Sequence, residues 1–184
     1  KYDPDKKAIV DDMATLSVNA EKTEYTFTLR EWLKWHDGQP VTMDDVYFTF
    51  NDVVMNPSFQ NGILKVNFDG VGIKQVDATV IKFVLTKPNV FFITNLTTGI
   101  LPKHVLQGVD PYDILQSEFN KLPVGTGPYM VTEPVQSFPD GRMQVVLTRN
   151  PYYYGEPSEI EYMRLITYPT MDELVEEINV VNGV

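Results

Sequence analysis

The first stretch with a readable period is YTFTLR at residues 25–30, a strict alternation of apolar and polar positions. Period two, carried by aromatics and threonine, predicts a strand that turns Tyr25, Phe27 and Leu29 toward a core. Trp35-His36-Asp37-Gly38 then predicts a turn, because Asp bonds back to the backbone and Gly accepts a positive φ. Thr42, with Asp45 three residues on, forms a capping box in which Asp replaces the usual Glu. The helix it opens carries Val46, Phe50, Val53 and Val54 on one stripe and stops at Asn56-Pro57. Residues 57–72 have no period and contain three glycines, so they read as a loop.

Further on, residues 73–76 and 80–85 predict two strands of a hairpin turning at Asp77-Ala78-Thr79, with Ile81, Phe83 and Leu85 facing inward. Helical pieces are expected near Pro102 and near Pro111. In the second, Asp110 caps and Tyr112, Leu115 and Phe119 share a side. Residues 122–128 are a turn-rich crossing. Strands at 129–133 and 143–149 flank a long loop containing Asp140-Gly141, and 163–168 is a further strand. A last helix opens at Thr170, with Glu173 completing a second capping box, and is expected to bury Leu174, Ile178 and Val181. The whole predicts an α+β fold of mostly antiparallel strands with a few helices.

Composition narrows the function. With 43% hydrophobic and 12% aromatic residues, the 184-residue chain has ample material for one domain or two small subdomains. A net charge of −10 argues against nucleic acid as a partner, because such binding needs a positive surface to replace counterions. The absence of cysteine leaves no disulfide, thiol nucleophile or zinc–thiolate site, which suits an oxidising cell envelope. No apolar run approaches the roughly 18 residues that span a bilayer, and no leader pattern is present. The abrupt ends, Lys1-Tyr2-Asp3-Pro4 and residues 182–184, read as those of an excerpt from a longer parent.

Candidate chemistry is sparse. Asp44 and Asp45 diverge by about 100° on a helix, so they cap it rather than form a paired-carboxylate site. Neither His36 nor His104 has a ligating partner at i+4, so no metal is expected. No serine lies in a Gly-x-Ser-x-Gly elbow. Gly125-Thr126-Gly127 is not followed by Lys-Ser/Thr, and Pro128 removes a donor where a phosphate loop needs one. Neither catalytic residues nor a cofactor are expected. Tyr152-Tyr153-Tyr154 offers ring faces for stacking on a ligand, or rim packing.

Four motifs in order give the chain a family likeness. YTFTLREWLKWHDGQPVTMDDVYFTF, ILPKHVL at 100–106, PVGTGPYMV at 123–131 and LTRNPYYYGEP at 147–157 resemble the family 5 extracellular solute-binding proteins, the oligopeptide- and dipeptide-binding type. The matching positions are Trp35, Asp37, Gly38, Asp45, Gly125, Thr126, Gly127, Tyr129 and Asn150. Tyr154 stands where that family has Trp. These ten positions are expected to be structural.

The resemblance implies a periplasmic-binding-protein type II-like lobe fragment of a receptor that closes on a peptide or similar small solute and delivers it to an ABC permease. It implies a place in the periplasm or on the outer cell surface, with a lipid anchor in the parent. Residues 1–126 correspond to the family's added subdomain, and 127–184 to the start of the main ligand-binding lobe. Phe59, Gln60 and Asn61, after the first helix, are the expected ligand contacts: one aromatic face and two amides. The competing readings are a ligand-sensing receptor domain and a carboxylate-based hydrolase.

Overall fold

In the computed structural model the described residues are 1–182, with nothing said of the side chains of 179–182. A short ribbon of β1 (Tyr2–Asp3) and β2 (Ala8–Ile9) precedes β3 (Ala14–Val18) and β4 (Glu24–Leu29). The helical segment α1 (Met43–Tyr47) continues as a wider π-helical stretch, Phe48–Val54, and is followed by α2 (Gly62–Phe68). Strands β5 (Gly72–Gln75) and β6 (Val80–Val84), short helices α3 (Phe92–Asn95) and α4 (Lys103–Leu106), and two 3₁₀ turns complete the first part. The second part holds β7 (Tyr129–Val131), β8 (Gln136–Ser137), β9 (Met143–Arg149), β10 (Tyr162–Thr167) and α5 (Met171–Asn182).

Two antiparallel sheets organise these elements. The first runs β3-β4-β6-β5. The second runs β10-β9-β7, with β8 also pairing β9. In the first sheet Tyr25 sits opposite Phe83, Phe27 opposite Ile81, and Leu16 opposite Phe27. Tyr25, Leu29, Ile81 and Phe83 are buried as the alternation predicts. Phe27, Val46 and Leu85 pack against the same core half-buried. Phe50 meets Phe83 edge to face at 5.2 Å, and Phe68 meets Phe50 at 5.0 Å and Phe92 at 5.6 Å. Such pairs add to simple area burial. The 77–79 turn forms as expected, with Asp77 Oδ1 accepting the N–H groups of Thr79 (2.7 Å) and Val80 (2.9 Å).

Several expectations give way. The first helix is α-helical for only five residues before it widens. Thr49 Oγ1 donates to the Asp45 carbonyl at 2.7 Å, competing with the regular ladder. The wider turn buries Phe48, Thr49, Phe50, Val53 and Val54 together, more than one α-helical stripe holds. Residues 57–72 are not all loop, for α2 lies within them. Asn61 caps it by accepting from Leu64 N–H at 3.1 Å, and Phe68 anchors it in the core. Its Ile63 and Val66 face solvent, so the sequence shows no amphipathic period there.

Near Pro111, 3₁₀ turns at Ile114–Gln116 and Glu118–Lys121 replace the expected helix. Asp110 does accept from Tyr112 N–H at 2.8 Å, yet Ile114 is the buried anchor, while Tyr112 and Leu115 are exposed. Helix α5 starts as predicted, with Thr170 Oγ1 accepting Glu173 N–H at 3.3 Å. Its apolar face is not buried: Ile178 is 48% exposed, with Met171 and Val175 also outward and Leu174 half-buried. The side chain of Val181 and all of residues 183 and 184 lie outside the described residues.

Candidate ligand-binding site

The site is built where the 35–38 turn, the 123–128 crossing and residues 150–154 meet. Gly38, at φ 84°, closes the turn by donating its N–H to the Trp35 carbonyl at 2.9 Å. A Cβ there would lie 3.3 Å from the Tyr152 ring, and Lys34 Nζ sits over that same ring, 5.1 Å from its centre. Trp35 is buried and its indole N–H points to Asp45 Oδ2 at 3.4 Å.

Asp45 is only 4% exposed and has no cationic partner among the described residues. Its carboxylate instead accepts Thr42 N–H (2.8 Å), Thr42 Oγ1 (3.1 Å) and Lys103 N–H (2.9 Å), besides the indole. A buried carboxylate is tolerable when its lone pairs are satisfied in this way. The predicted cap thus also ties the turn and α4 to the first helix. Asp44 points the other way and meets Gln75 Nε2 at 2.9 Å.

His36 joins the turn to the crossing. Its backbone N–H donates to the Gly125 carbonyl at 2.8 Å, its Nδ1 accepts Gly125 N–H at 3.1 Å, and its Nε2 lies 3.2 Å from the Gly127 carbonyl. That pattern requires the neutral ring with its proton on Nε2. Burial lowers the His36 pKa, outweighing the Gly127 carbonyl and Asp37, which favour the charged form. On the opposite side, Asp37 Oδ2 meets His104 Nε2 at 2.7 Å. Partial burial pushes the Asp37 carboxyl up, but the bonds from His104 and Gln39 N–H hold it below its ordinary value.

Asn150, also buried, donates its amide to the Gly127 carbonyl at 2.8 Å and accepts Tyr152 N–H on its oxygen at 2.8 Å. Tyr129 anchors the following strand, its hydroxyl meeting Ser158 Oγ at 2.6 Å and donating to the Ile160 carbonyl at 2.8 Å. Thr126 Oγ1 lies 3.5 Å from Met13 Sδ. A Cβ on Gly125 would come 3.2 Å from the His36 ring, so a side chain there requires that ring to give way. Gly127 has an ordinary φ and room for a Cβ, so Gly125 is the more tightly packed of the two glycines.

Beside this junction lies a chamber of about 440 Å³ over the core-facing side of the first sheet. Its walls come from β3, β4, the first helix and the 93–100 segment, and Thr126 and Tyr154 also line it. Asp11 and Asp12 line it as well. Asp12 Oδ2 accepts from the Tyr154 hydroxyl at 2.9 Å, and its Oδ1 meets Lys1 Nζ at 3.0 Å. Burial, then the neighbouring Asp12, raises the Tyr154 pKa far above the ordinary phenol value. The signature residues Trp35, Gly125, Thr126 and Tyr154 all line this chamber.

The three residues expected to meet ligand stand elsewhere. Phe59 is 6% exposed and part of the core, Asn61 spends its side-chain oxygen on the α2 cap, and Gln60 is exposed, donating to the Ser58 carbonyl at 2.9 Å. Asp12, Met13 and residues of the 93–100 segment line the chamber with no motif in the sequence to mark them. The alternation of Ala14, Leu16 and Val18 was a readable signal for β3, but nothing local marked the chamber's mouth. Among the described residues no group of three or more His, Cys, Asp or Glu side chains is placed to hold a metal, and no helix is long and apolar enough to cross a membrane.

The fold is that of a periplasmic binding protein lobe with antiparallel sheets and short helices. Residues 8–179 match the bacterial extracellular solute-binding proteins, family 5 middle, and the chain belongs to that family. It is 29% identical over 153 residues to the oligopeptide-binding protein AppA of Bacillus subtilis, covering 81% of this chain and 26% of that protein. Against NikZ from Campylobacter jejuni, solved in complex with Ni(L-His), it is 28% identical with a TM-score of 0.75, covering 96% of this chain and 34% of that one. The B. subtilis AppA structure, solved with a nonapeptide, superposes with a TM-score of 0.83 over 99% of this chain and 36% of that one. At 22% identity this match speaks for the fold alone. The chain thus spans between 26% and 36% of the length of these relatives.

Proposed function

We propose that this chain is part of the substrate-binding component of an ABC-type importer, capturing peptides or similar small solutes outside the cytoplasmic membrane without chemistry. The observation that carries the reading is the convergence of the family's motif residues on one junction beside an open, mostly apolar chamber. Capture needs a concave wall with a few fixed polar groups, and the junction with its chamber supplies that. The relatives' names, oligopeptide-binding and nickel–histidine-complexed, support a small-solute ligand and point toward peptides.

In this reading residues 1–126 form the added subdomain and residues from 127 start the main lobe. The outward Tyr162 and Ile166 on one side of β10, Leu165 on its other side, and Met171, Val175 and Ile178 of α5 support apolar surfaces that other parts of a longer receptor cover. The permease is the partner of the whole receptor, which works in the periplasm or on the outer surface, held there by a lipid anchor. Gln60, which is exposed, is the contact we keep from the 59–61 segment, since Phe59 and Asn61 serve the fold.

Calorimetry of a longer polypeptide containing this chain, titrated with a defined peptide mixture, tests the proposal, with mass spectrometry of the peptides afterwards. Saturable heat with peptides recovered intact is expected. Cleaved peptides, or no heat with any member of the mixture, would overturn it.

A further inference from the structure

We propose that the 35–38 turn is an acid-sensitive toggle: it clasps the 123–127 crossing while His36 is neutral, and it releases the crossing and holds α4 instead when His36 and His104 are protonated. The device sits between the two sheets and works whatever the parent captures, so it stands apart from the role proposed above.

The crossing is thinly held. Among the described residues, 123–128 make three hydrogen bonds to His36, two to Asn150 and one long one to Met13 Sδ. Asn150 directly follows β9, and it holds the Gly127 carbonyl through its side chain and the Pro128 carbonyl through its backbone N–H at 2.9 Å. Those two bonds keep the end of the crossing with the second sheet. The three to His36 tie it to the first part of the chain. The Tyr154–Asp12 bond also spans the two parts, and the Tyr154 hydroxyl, its pKa raised by burial, keeps its proton throughout.

The chain has two histidines, and both bond through this turn. A proton on His36 Nδ1 would face the Gly125 N–H, donor against donor at 3.1 Å, and leave that amide without its acceptor. The Pro123 carbonyl, which favours the charged ring, is the acceptor open to the new N–H. On the other side of the turn Asp37 Oδ2 lies 2.7 Å from His104 Nε2. A proton on the second nitrogen of His104 makes that bond charge-assisted and so stronger. Asp37, held below the ordinary carboxylate range by His104 and Gln39 N–H against the effect of burial, stays anionic to receive it. The same proton therefore loosens one side of the turn and tightens the other.

The surrounding charges leave this response to the two imidazoles. Residues 122–128 carry no titratable side chain. His36 is faced by Asp37, and the 150–154 segment brings Tyr152, which lies under Lys34 Nζ, and Tyr154 on Asp12. Around His104 stand Asp37, the Trp35 ring at 6.3 Å, and Lys103, whose ammonium lies 3.7 Å from Asp44 Oδ2 and whose N–H meets the buried Asp45. Histidine is the side chain whose ordinary pKa puts its charge change between about pH 5 and 8. Burial lowers the His36 value, so the clasp is whole at neutral pH and opens below about pH 6.5.

Hydrogen exchange read by mass spectrometry tests the toggle in a longer polypeptide containing this chain, from pH 7.5 to pH 5, with exposure times scaled to the intrinsic exchange rate. Protection of the 124–127 amides should fall about tenfold or more while the amides of β4, β6 and α4 hold theirs. In His36→Asn, which cannot titrate, 124–127 should lose that pH dependence, and His36→Gln serves if the asparagine variant does not fold. In Asp37→Asn the α4 amides should be less protected at pH 5 than in the wild type. Constant 124–127 protection in the wild type, the same fall in the folded His36 variant, or a loss shared by β4, β6 or α4 would overturn the inference. So would α4 amides equally protected at pH 5 in Asp37→Asn and wild type.

Discussion

His36 and Asn150, 114 positions apart in the chain, converge on one acceptor: the Gly127 carbonyl lies 3.2 Å from His36 Nε2 and receives the Asn150 amide at 2.8 Å. The His36 bond exists only while the ring is neutral at Nδ1, which accepts Gly125 N–H. Because the folded state lowers the His36 pKa, protonation favours the unfolded chain. The stabilisation is complete above the unfolded value of about 6.5 and is lost as pH falls from there toward the lower folded value. Melting temperatures from pH 8 to pH 5 should therefore fall more steeply for the wild type than for His36→Asn. Parallel curves would show that His36 does not carry this dependence.

The glycines of the junction should differ sharply. Gly38→Val forces a β-branched residue into φ 84° against the Tyr152 ring and should cost about 2 kcal/mol or more. Gly125→Val must push the His36 ring from 3.2 Å and should cost less, about 1 kcal/mol. A Cβ on Gly127 meets only a carbonyl at 3.9 Å, so Gly127→Ala should lie within about 0.5 kcal/mol of wild type. Urea midpoints of the three variants give the ranking, and a large loss at Gly127 would contradict it.

Asp45 knits together Thr42, Trp35 and Lys103 through four accepted hydrogen bonds. Asp45→Ala leaves buried donors without partners and should destabilise by about 2–4 kcal/mol. Asp45→Asn keeps the shape but turns an amide donor toward other donors, so it should also fall below wild type. A urea midpoint for Asp45→Asn equal to wild type would mean that the charge-assisted bonds contribute little.

Phe59 and Gln60 separate fold from ligand contact within one short segment. Phe59→Ala removes a buried ring and should cost about 3 kcal/mol in chemical denaturation. Gln60→Ala, on the exposed neighbour, should leave stability within about 0.5 kcal/mol. An unchanged midpoint for Phe59→Ala would return that ring to the list of free surface groups.

The sequence by itself determined the elements whose periodicity is local. The alternation at Tyr25, Phe27 and Leu29, the Thr42/Asp45 box, the Asp77 turn and the Thr170 cap are short-range patterns, and each forms where the pattern lies. The motif residues that gave the family likeness were legible too, but their roles were not. That Asp45 serves Trp35 and Lys103, or that His36 reads the backbone of residues 125–127, follows from contacts across 10 to 91 positions of sequence. Tertiary structure alone decided the α2 helix, held by one cap and the buried Phe68 while Ile63 and Val66 face outward. It also decided the π-widening, where burying Phe48 and Phe50 together outweighed a regular ladder. The chamber belongs to the same class, because a void is defined by what several distant segments leave unfilled. No single stretch of sequence carries that information.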